Sequence, residues 1–148
     1  MGDKMILSKS EYTGPDLDMD AVRRFESRYG ISLPRSYIDL LSVVNGGTFV
    51  STVEINCDDY IVEAEGIKGV GGSWGIDSEE LGSEYLIQEW GYPDIGIVIG
   101  IMISGGSDAI MLNYNSPSEP SVSYVSDDGE VYELARTFDK FQERIRSR

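Results

Sequence analysis

The chain contains no histidine and a single cysteine, Cys57. Histidine is the commonest general base and the commonest zinc ligand, so serine–histidine and cysteine–histidine catalysis are both excluded. A lone cysteine cannot form a disulfide within the chain. Because Asp58 and Asp59 directly follow Cys57 and disfavour a thiolate, we predict a buried or half-buried structural thiol rather than a reactive one.

Long hydrophobic runs are also absent. No apolar stretch reaches the roughly 18 residues that a membrane-spanning helix requires. The longest, residues 95–103, is interrupted by Gly96 and Gly100 and is predicted to be one buried strand. The N-terminus shows no hydrophobic segment followed by a small-residue cleavage site, so we expect a cytoplasmic protein.

Basic residues are scarce. The 148 residues include 26 acidic and only 12 basic side chains, which gives a net charge of −14. The imbalance is greatest in residues 54–94, which hold eleven acids and one base, Lys68. Nucleic acids and anionic membranes both require basic surface, so neither is an expected partner. A basic protein would be attracted, mainly through a faster, salt-dependent association.

No cofactor or metal site is expected. The aspartates at 16, 18 and 20 resemble the start of an EF-hand loop, but Ala21 and Ser27 occupy the positions that need glycine and glutamate. The glycine-rich residues 69–75 are not followed by the Gly-Lys-Ser/Thr sequence of a phosphate-binding loop. We therefore predict helix-capping acids in the first segment and a loop in the second.

The clearest helix in the sequence spans residues 34–44. Pro34 suits the first helical position, because its missing N–H would have no intrahelical partner there. The apolar positions of one helical face are Tyr37, Leu40, Leu41 and Val44. Asn45-Gly46-Gly47 should end this helix, and Gly30 should end a first helix just upstream.

The rest of the pattern predicts an α+β fold. A middle helix should run from Asp77 or Ser78 to Trp90 with Gly82 inside it, and a closing helix should be capped by Thr137. Strands are expected at residues 48–55, 60–64, 95–103, 109–114, 121–125 and 130–134, the last two joined by an Asp-Gly turn. We predict a single domain over residues 1–148. It should contain one antiparallel or mixed sheet of five to six strands, covered on one face, with residues 1–15 as a flexible or edge lead.

Residues 17–47 resemble the N-terminal signature of the SUKH superfamily. The pattern begins at Phe25 and reads Phe-Glu-x-x-Tyr-Gly-x-x-Leu-Pro-x-x-Tyr-x-x-Leu-Leu-x-x-x-Asn-Gly-Gly. In its second half, the positions that carry the match are Leu33, Pro34, Tyr37, Leu41, Asn45, Gly46 and Gly47. The resemblance implies a non-enzymatic α+β domain that binds other proteins, as in fungal cell-wall assembly regulators and bacterial toxin-immunity proteins. It also implies that these residues are scaffold.

The acidic middle of the chain is the candidate binding surface. It interleaves carboxylates with aromatic side chains, a combination that protein interfaces commonly use. The predicted partner-binding residues are Asp58, Asp59, Tyr60, Glu63, Glu65, Trp74, Asp77, Glu79, Glu80, Glu84, Tyr85 and Glu89. With the resemblance, this predicts an immunity protein. Its partner would be a toxin, most naturally a basic nuclease domain, because nucleases need basic surface to hold nucleic acid.

Other interpretations stay open at the level of sequence. A regulatory or scaffold module of the fungal type would have a housekeeping partner. An acid-dependent hydrolase would need two carboxylates in one cleft, and nothing in the sequence marks a particular pair. The acids could also serve solubility alone while the aromatics belong to the core. The sequence carries no signal for an oligomeric state.

Overall fold

Four helices and eight strands make up the part of the chain that the structure, a computed structural model, describes, residues 6–115 and 118–146. The strands are β1 (Leu7–Ser8), β2 (Gly47–Cys57), β3 (Tyr60–Ile67), β4 (Gly96–Val98), β5 (Gly100–Met102), β6 (Ala109–Asn113), β7 (Ser121–Val125) and β8 (Val131–Ala135). The helices are α1 (Met19–Tyr29), α2 (Arg35–Val43), α3 (Ser83–Trp90) and α4 (Phe138–Arg146). The predicted α+β class is confirmed. In the predicted lead, β1 is an edge strand beside β2, and residues 1–5 lie outside the described residues.

The strands form two antiparallel sheets rather than the single predicted one. The first has the order β1-β2-β3-β5 and the second the order β4-β6-β7-β8. The count of five to six strands was too low, because residues 95–103 supply two strands, β4 and β5, one to each sheet, and the N-terminal lead adds β1. The β2–β3 hairpin and the β7–β8 hairpin with its Asp-Gly turn are confirmed.

Ile99 lies where the chain passes from one sheet to the other. Its N–H donates to the Ile110 carbonyl of β6 at 3.0 Å, and its carbonyl accepts from the Lys68 N–H at 2.7 Å. A side chain at Gly100 would start 2.8 Å from the Ile110 Cβ, so glycine permits the close approach. The apolar run is therefore continuous in sequence but divided between two sets of pairing partners.

The predicted helix pair is confirmed, except that the second helix begins one residue later than predicted. The Asp18 side chain accepts from the Asp20 N–H at the start of α1, and Gly30 ends that helix with a φ of 64°. Helix α2 begins at Arg35, so Pro34 is its N-cap rather than its first residue. Of the predicted face of α2, Tyr37, Leu41 and Val44 are buried and Leu40 is half-buried. This face packs on α4, where the Tyr37 and Phe138 rings lie edge to face at 5.2 Å.

Asn45 joins four segments at the end of α2, and we call this place the junction. Its buried side-chain amide donates to the carbonyls of Pro15 at 2.6 Å and Val70 at 2.7 Å, and its oxygen accepts from the Val70 N–H at 2.9 Å. Gly46 has a φ of 84°, and a Cβ there would lie 2.6 Å from the Gly69 nitrogen. The Asn-Gly sequence therefore holds the N-terminal lead, α2, β2 and residues 69–70 together.

Helix α3 starts at Ser83, later than predicted. Asp77 and Ser78 do not cap it, because their side chains serve the preceding turns. The Asp77 carboxylate accepts from the Gly71 N–H at 2.8 Å, and the Ser78 hydroxyl accepts from the N–H of Glu80 at 3.3 Å. Gly82 is the N-cap of α3 and lies outside the helix interior where it was placed.

Two further predictions are confirmed. The Thr137 hydroxyl accepts from the Lys140 N–H at 3.1 Å at the start of α4. Cys57 is buried at the end of β2; burial, and secondarily the charge of Asp58, raise the pKa of its thiol. Among the described residues, no helix is long and apolar enough to cross a membrane.

Candidate protein-binding surface

The twelve predicted partner-binding residues lie on three parts of the molecule. Asp58, Asp59, Tyr60 and Glu63 lie towards the turn of the β2–β3 hairpin, Glu65 and Trp74 line a groove, and Asp77, Glu79, Glu80, Glu84, Tyr85 and Glu89 lie on the loop before α3 and on α3 itself. Nine of them are exposed, while Tyr60, Glu65 and Trp74 are half-buried. The solvent-facing position expected of a binding surface is thus common to most of the set.

A groove of about 220 Å³ lies between the loop before α3, α3 itself and the turn after β5. Its lining is mainly apolar and includes both tryptophans of the chain. We call it the aromatic groove and define it by Tyr12, Lys68, Trp74, Trp90, Tyr92 and Asp108. Residues from the N-terminal lead, the end of β3 and the turn after β5 meet here, although they are far apart in the sequence.

The Trp74 side of the groove is built from three segments. The Tyr12 ring packs edge-on against Trp74 with 4.7 Å between centroids, and the Tyr12 hydroxyl donates to the Glu65 carboxylate at 3.1 Å. The Lys68 ammonium lies 5.7 Å from the centre of the Trp74 ring, within the range of a cation–π contact. Trp74 is therefore already in contact with other side chains on this side.

Lys68, on the Trp74 side of the groove, is buried, with 3% of its surface exposed. Its Nζ donates to the carbonyls of Leu81 at 2.8 Å and Trp74 at 3.2 Å. In the part of the chain that the structure describes, no carboxylate lies within ion-pair distance of it, and burial lowers its pKa to about 8. The lysine side chain thus holds the loop between β3 and α3 through two main-chain carbonyls of that loop.

The Trp90 side is more open. Trp90 is the last residue of α3, and 48% of its surface is exposed. Its ring lies directly over Gly106, where a Cβ would come within 1.6 Å of the indole. Tyr92 packs beside it and donates its hydroxyl to the carbonyls of Gly106 and Asp108. The indole is held in place while much of its surface remains available to a partner.

Asp108 gives this side a negative charge. Its Oδ1 accepts from the Ser104 hydroxyl and its Oδ2 from the Tyr124 hydroxyl, both at 2.6 Å. No lysine or arginine of residues 6–115 and 118–146 forms an ion pair with it. Burial, followed by the hydrogen bond to Asp108, raises the pKa of Tyr124, so the tyrosine stays a neutral donor to the carboxylate.

Tyr124 also connects Asp108 to Tyr60, which lies near the turn of the β2–β3 hairpin. The Tyr60 ring lies 5.8 Å from Tyr124 and 5.5 Å from Tyr132, and the Tyr60 hydroxyl is 3.5 Å from the Asp128 carboxylate. Tyr60 and Tyr132 are half-buried against the core. Of these three tyrosines only Tyr60 belongs to the predicted partner-binding set, and it packs against the core while its hydroxyl lies beside an exposed acid.

The acids around α3 differ in whether they already have partners. The Glu84 carboxylate pairs with Arg28 of α1 at 2.9 Å, and the Asp77 carboxylate accepts the Gly71 N–H. The carboxylates of Glu79, Glu80 and Glu89 have no hydrogen bond or ion pair with any described residue. The last three are therefore the acids of this group that are free to meet a partner.

Like charges also face each other on the outer side of the first sheet. Glu54 of β2 and Glu63 of β3 are direct cross-strand partners, and both are exposed. Such pairs destabilise a sheet by a few tenths of a kcal/mol up to about 1 kcal/mol. Exposed Ile61 and Ile103 lie nearby, since the Ile103 N–H donates to the Glu63 carbonyl at 3.2 Å. A cationic partner would relieve this repulsion.

Sequence reasoning missed several groove residues. Trp90 was assigned only to the end of a helix, and Tyr92 and Asp108 were not singled out. Lys68 had a visible signal, because it is the only base among eleven acids in residues 54–94. The others become candidates only when the fold brings the turn after β5 against α3.

Comparison with known proteins gives one match. The family model described as SMI1 / KNR4 family (SUKH-1) matches residues 17–144. The match covers the signature helices, the junction except Pro15, and the aromatic groove except Tyr12. No curated protein and no solved structure matches the chain.

Proposed function

The chain belongs to the SMI1/KNR4 family (SUKH-1), and from this premise we propose that it is a cytoplasmic immunity protein that binds and neutralises a basic toxin domain. The family includes toxin-immunity proteins as well as SMI1/KNR4-like members. The observation that carries the proposal is the aromatic groove, which is lined by the exposed Trp90 and by Asp108, whose carboxylate has no basic partner among the described residues. Aromatic anchors next to charge are typical of the few residues that dominate binding energy.

Electrostatics favours a basic partner. The chain has a net charge of −14, so it is negatively charged like the nucleic acid that a nuclease binds. Long-range attraction of this kind mainly accelerates association and makes it sensitive to salt. A nuclease domain bound here would have its basic surface covered and could no longer hold nucleic acid.

The proposed action is occupancy, with no chemical step by this chain. The groove brings Glu65 and Asp108 into one cleft, which is the kind of arrangement that a hydrolase would need. However, its volume of about 220 Å³ is below the roughly 300 Å³ at which small-molecule sites begin. Asp108 is also engaged by two hydroxyls. Glycoside turnover that Glu65→Gln abolishes would contradict this view.

The test is co-expression with a basic toxin domain encoded beside the gene. We expect the wild-type protein to restore growth and to form a complex that elutes as one species in size-exclusion chromatography. Trp90→Ala should weaken both effects, whereas Val43→Ala should not. Val43 is a matched control because it is an exposed apolar side chain at the end of α2, outside the groove.

Two results would count against the proposal. Toxicity that persists in the presence of the wild-type protein would exclude immunity to that toxin. A housekeeping gene neighbourhood, together with a non-toxic partner recovered from the native host, would favour the regulatory or scaffold alternative of the fungal type.

A further inference from the structure

We propose that the aromatic groove receives an arginine side chain of the partner, stacked on the exposed face of Trp90 beside the carboxylate of Asp108. This inference rests on the proposed function, because it names the group by which a basic protein is anchored. It is carried by three features of the groove: the fixed indole, the uncompensated carboxylate and the position of Lys68.

The indole of Trp90 is a preformed platform. It is fixed on one side by Gly106, which has no side chain to hold the ring away from the main chain, and it is flanked by Tyr92 at 6.4 Å between ring centroids. Almost half of its surface remains exposed. A planar guanidinium stacks well on such a ring, and a platform that is already ordered adds little entropy cost to binding.

Asp108 supplies the charge complementarity. Each of its oxygens accepts one hydroxyl hydrogen bond, which fixes the carboxylate and leaves a lone pair on each oxygen for a further donor. A half-buried carboxylate whose partners are all neutral gains from a cation placed within hydrogen-bond reach. Arginine presents several N–H donors in one plane, so it can contact the carboxylate while it lies on the indole.

Lys68 explains why the cation belongs on the Trp90 side. On the Trp74 side the ring is already in contact with the Lys68 ammonium, and the lysine itself is occupied by two loop carbonyls. A second cation there would meet a like charge. The remaining space suits one side chain, and the more strongly hydrated ammonium of lysine would lose more on leaving water than a guanidinium does.

The two tryptophans provide the assay, because they are the only ones in the chain and both line the groove. Intrinsic fluorescence therefore reports occupancy directly. The probes are a short capped peptide of alternating arginine and glycine and its lysine counterpart of equal length and charge, titrated at physiological ionic strength. A cation–π contact on an exposed ring is worth about 0.5–1 kcal/mol, and the more strongly hydrated ammonium gains less of it than the planar guanidinium does. The arginine peptide should therefore bind more tightly, by up to roughly fivefold.

Variants assign the preference to one ring. Trp74→Phe leaves Trp90 as the sole reporter and should keep the arginine preference, while Trp90→Leu leaves Trp74 as reporter and should lose it. Equal affinity for both peptides, or a preference that survives Trp90→Leu, would overturn the inference. A change of emission with protein concentration alone would also overturn it, because a second copy of the chain would then occupy the groove.

The identified toxin separates this inference from the proposed function. Arginine-to-lysine changes on its contact surface should weaken the complex at least about as much as the peptide comparison indicates. A complex that forms normally, protects cells and ignores every such change would refute the arginine anchor and leave the immunity function standing. Failure of the wild-type protein to bind or neutralise the toxin would refute the function itself.

Discussion

Lys68 should make the protein more stable as pH rises from about 7 to about 9.5. The side chain is buried, and its ammonium contacts two loop carbonyls and the Trp74 ring without a neighbouring carboxylate among the described residues. Burial lowers its pKa from the usual 10.5 to about 8. The unfolded chain therefore binds more protons than the folded one between those two values, so the free energy of unfolding increases with pH there.

The magnitude follows from the two pKa values. Below pH 8 the folded protein keeps a buried charge, which costs about 3 kcal/mol of stability relative to the solvated amine. This cost declines as the folded amine loses its proton, and between about pH 7 and 9.5 the gain is about 2 kcal/mol. Cys57 acts in the opposite direction, because its raised pKa means that the unfolded thiol ionises first. The effect of Lys68 must therefore be measured as a difference.

Urea unfolding followed by tryptophan fluorescence at several pH values gives that difference. Lys68→Met removes the titrating amine and leaves Cys57 unchanged, so the wild type should gain about 2 kcal/mol more than the variant over this range. Lys140→Met is the control, since this lysine of α4 is exposed and pairs only at the surface with Glu143. Wild-type and Lys68→Met proteins with the same pH dependence would refute the assignment of a buried charged lysine.

Four further predictions concern the signature and the acids. Tyr37→Ala should lower the free energy of unfolding by roughly 3–5 kcal/mol through a core cavity, and an unchanged melting temperature would refute the helix face. Asn45→Ala should cost about 2–4 kcal/mol in chemical denaturation, because buried main-chain groups at the junction lose their partners. Charge reversal at Glu79 and Glu80 should slow association with a basic partner and weaken the salt dependence of the association rate in stopped-flow measurements. The melting temperature should not change. Reversal of Glu84 should also lower stability slightly, by at most about 1 kcal/mol, because it breaks the surface pair with Arg28.

The elements predicted correctly are those specified by neighbouring residues. The apolar face of α2 repeats every three or four positions, and the turn between β7 and β8 carries its own Asp-Gly signal. The division of residues 95–103 between two sheets is different, because both halves are equally apolar and only their distant partners, β6 and β3, distinguish them. The start of α3 was misplaced since Asp77 and Ser78 can cap a helix or a turn, and contacts with the loop at Gly71 decide which.

The signature residues also order part of the aromatic groove, although none of the seven lines it. The Tyr37 hydroxyl donates to the Lys68 carbonyl at 2.5 Å, and Asn45 holds both main-chain groups of Val70. From this fixed main chain the Lys68 side chain reaches the loop that carries Trp74. The signature therefore orders the Trp74 side of the groove, whereas Trp90 and Asp108 depend on contacts of α3 with the turn after β5. Residues that identify the fold thus support one wall of the aromatic groove. Under the proposed function, the choice of partner falls to the other wall, which the signature does not contact.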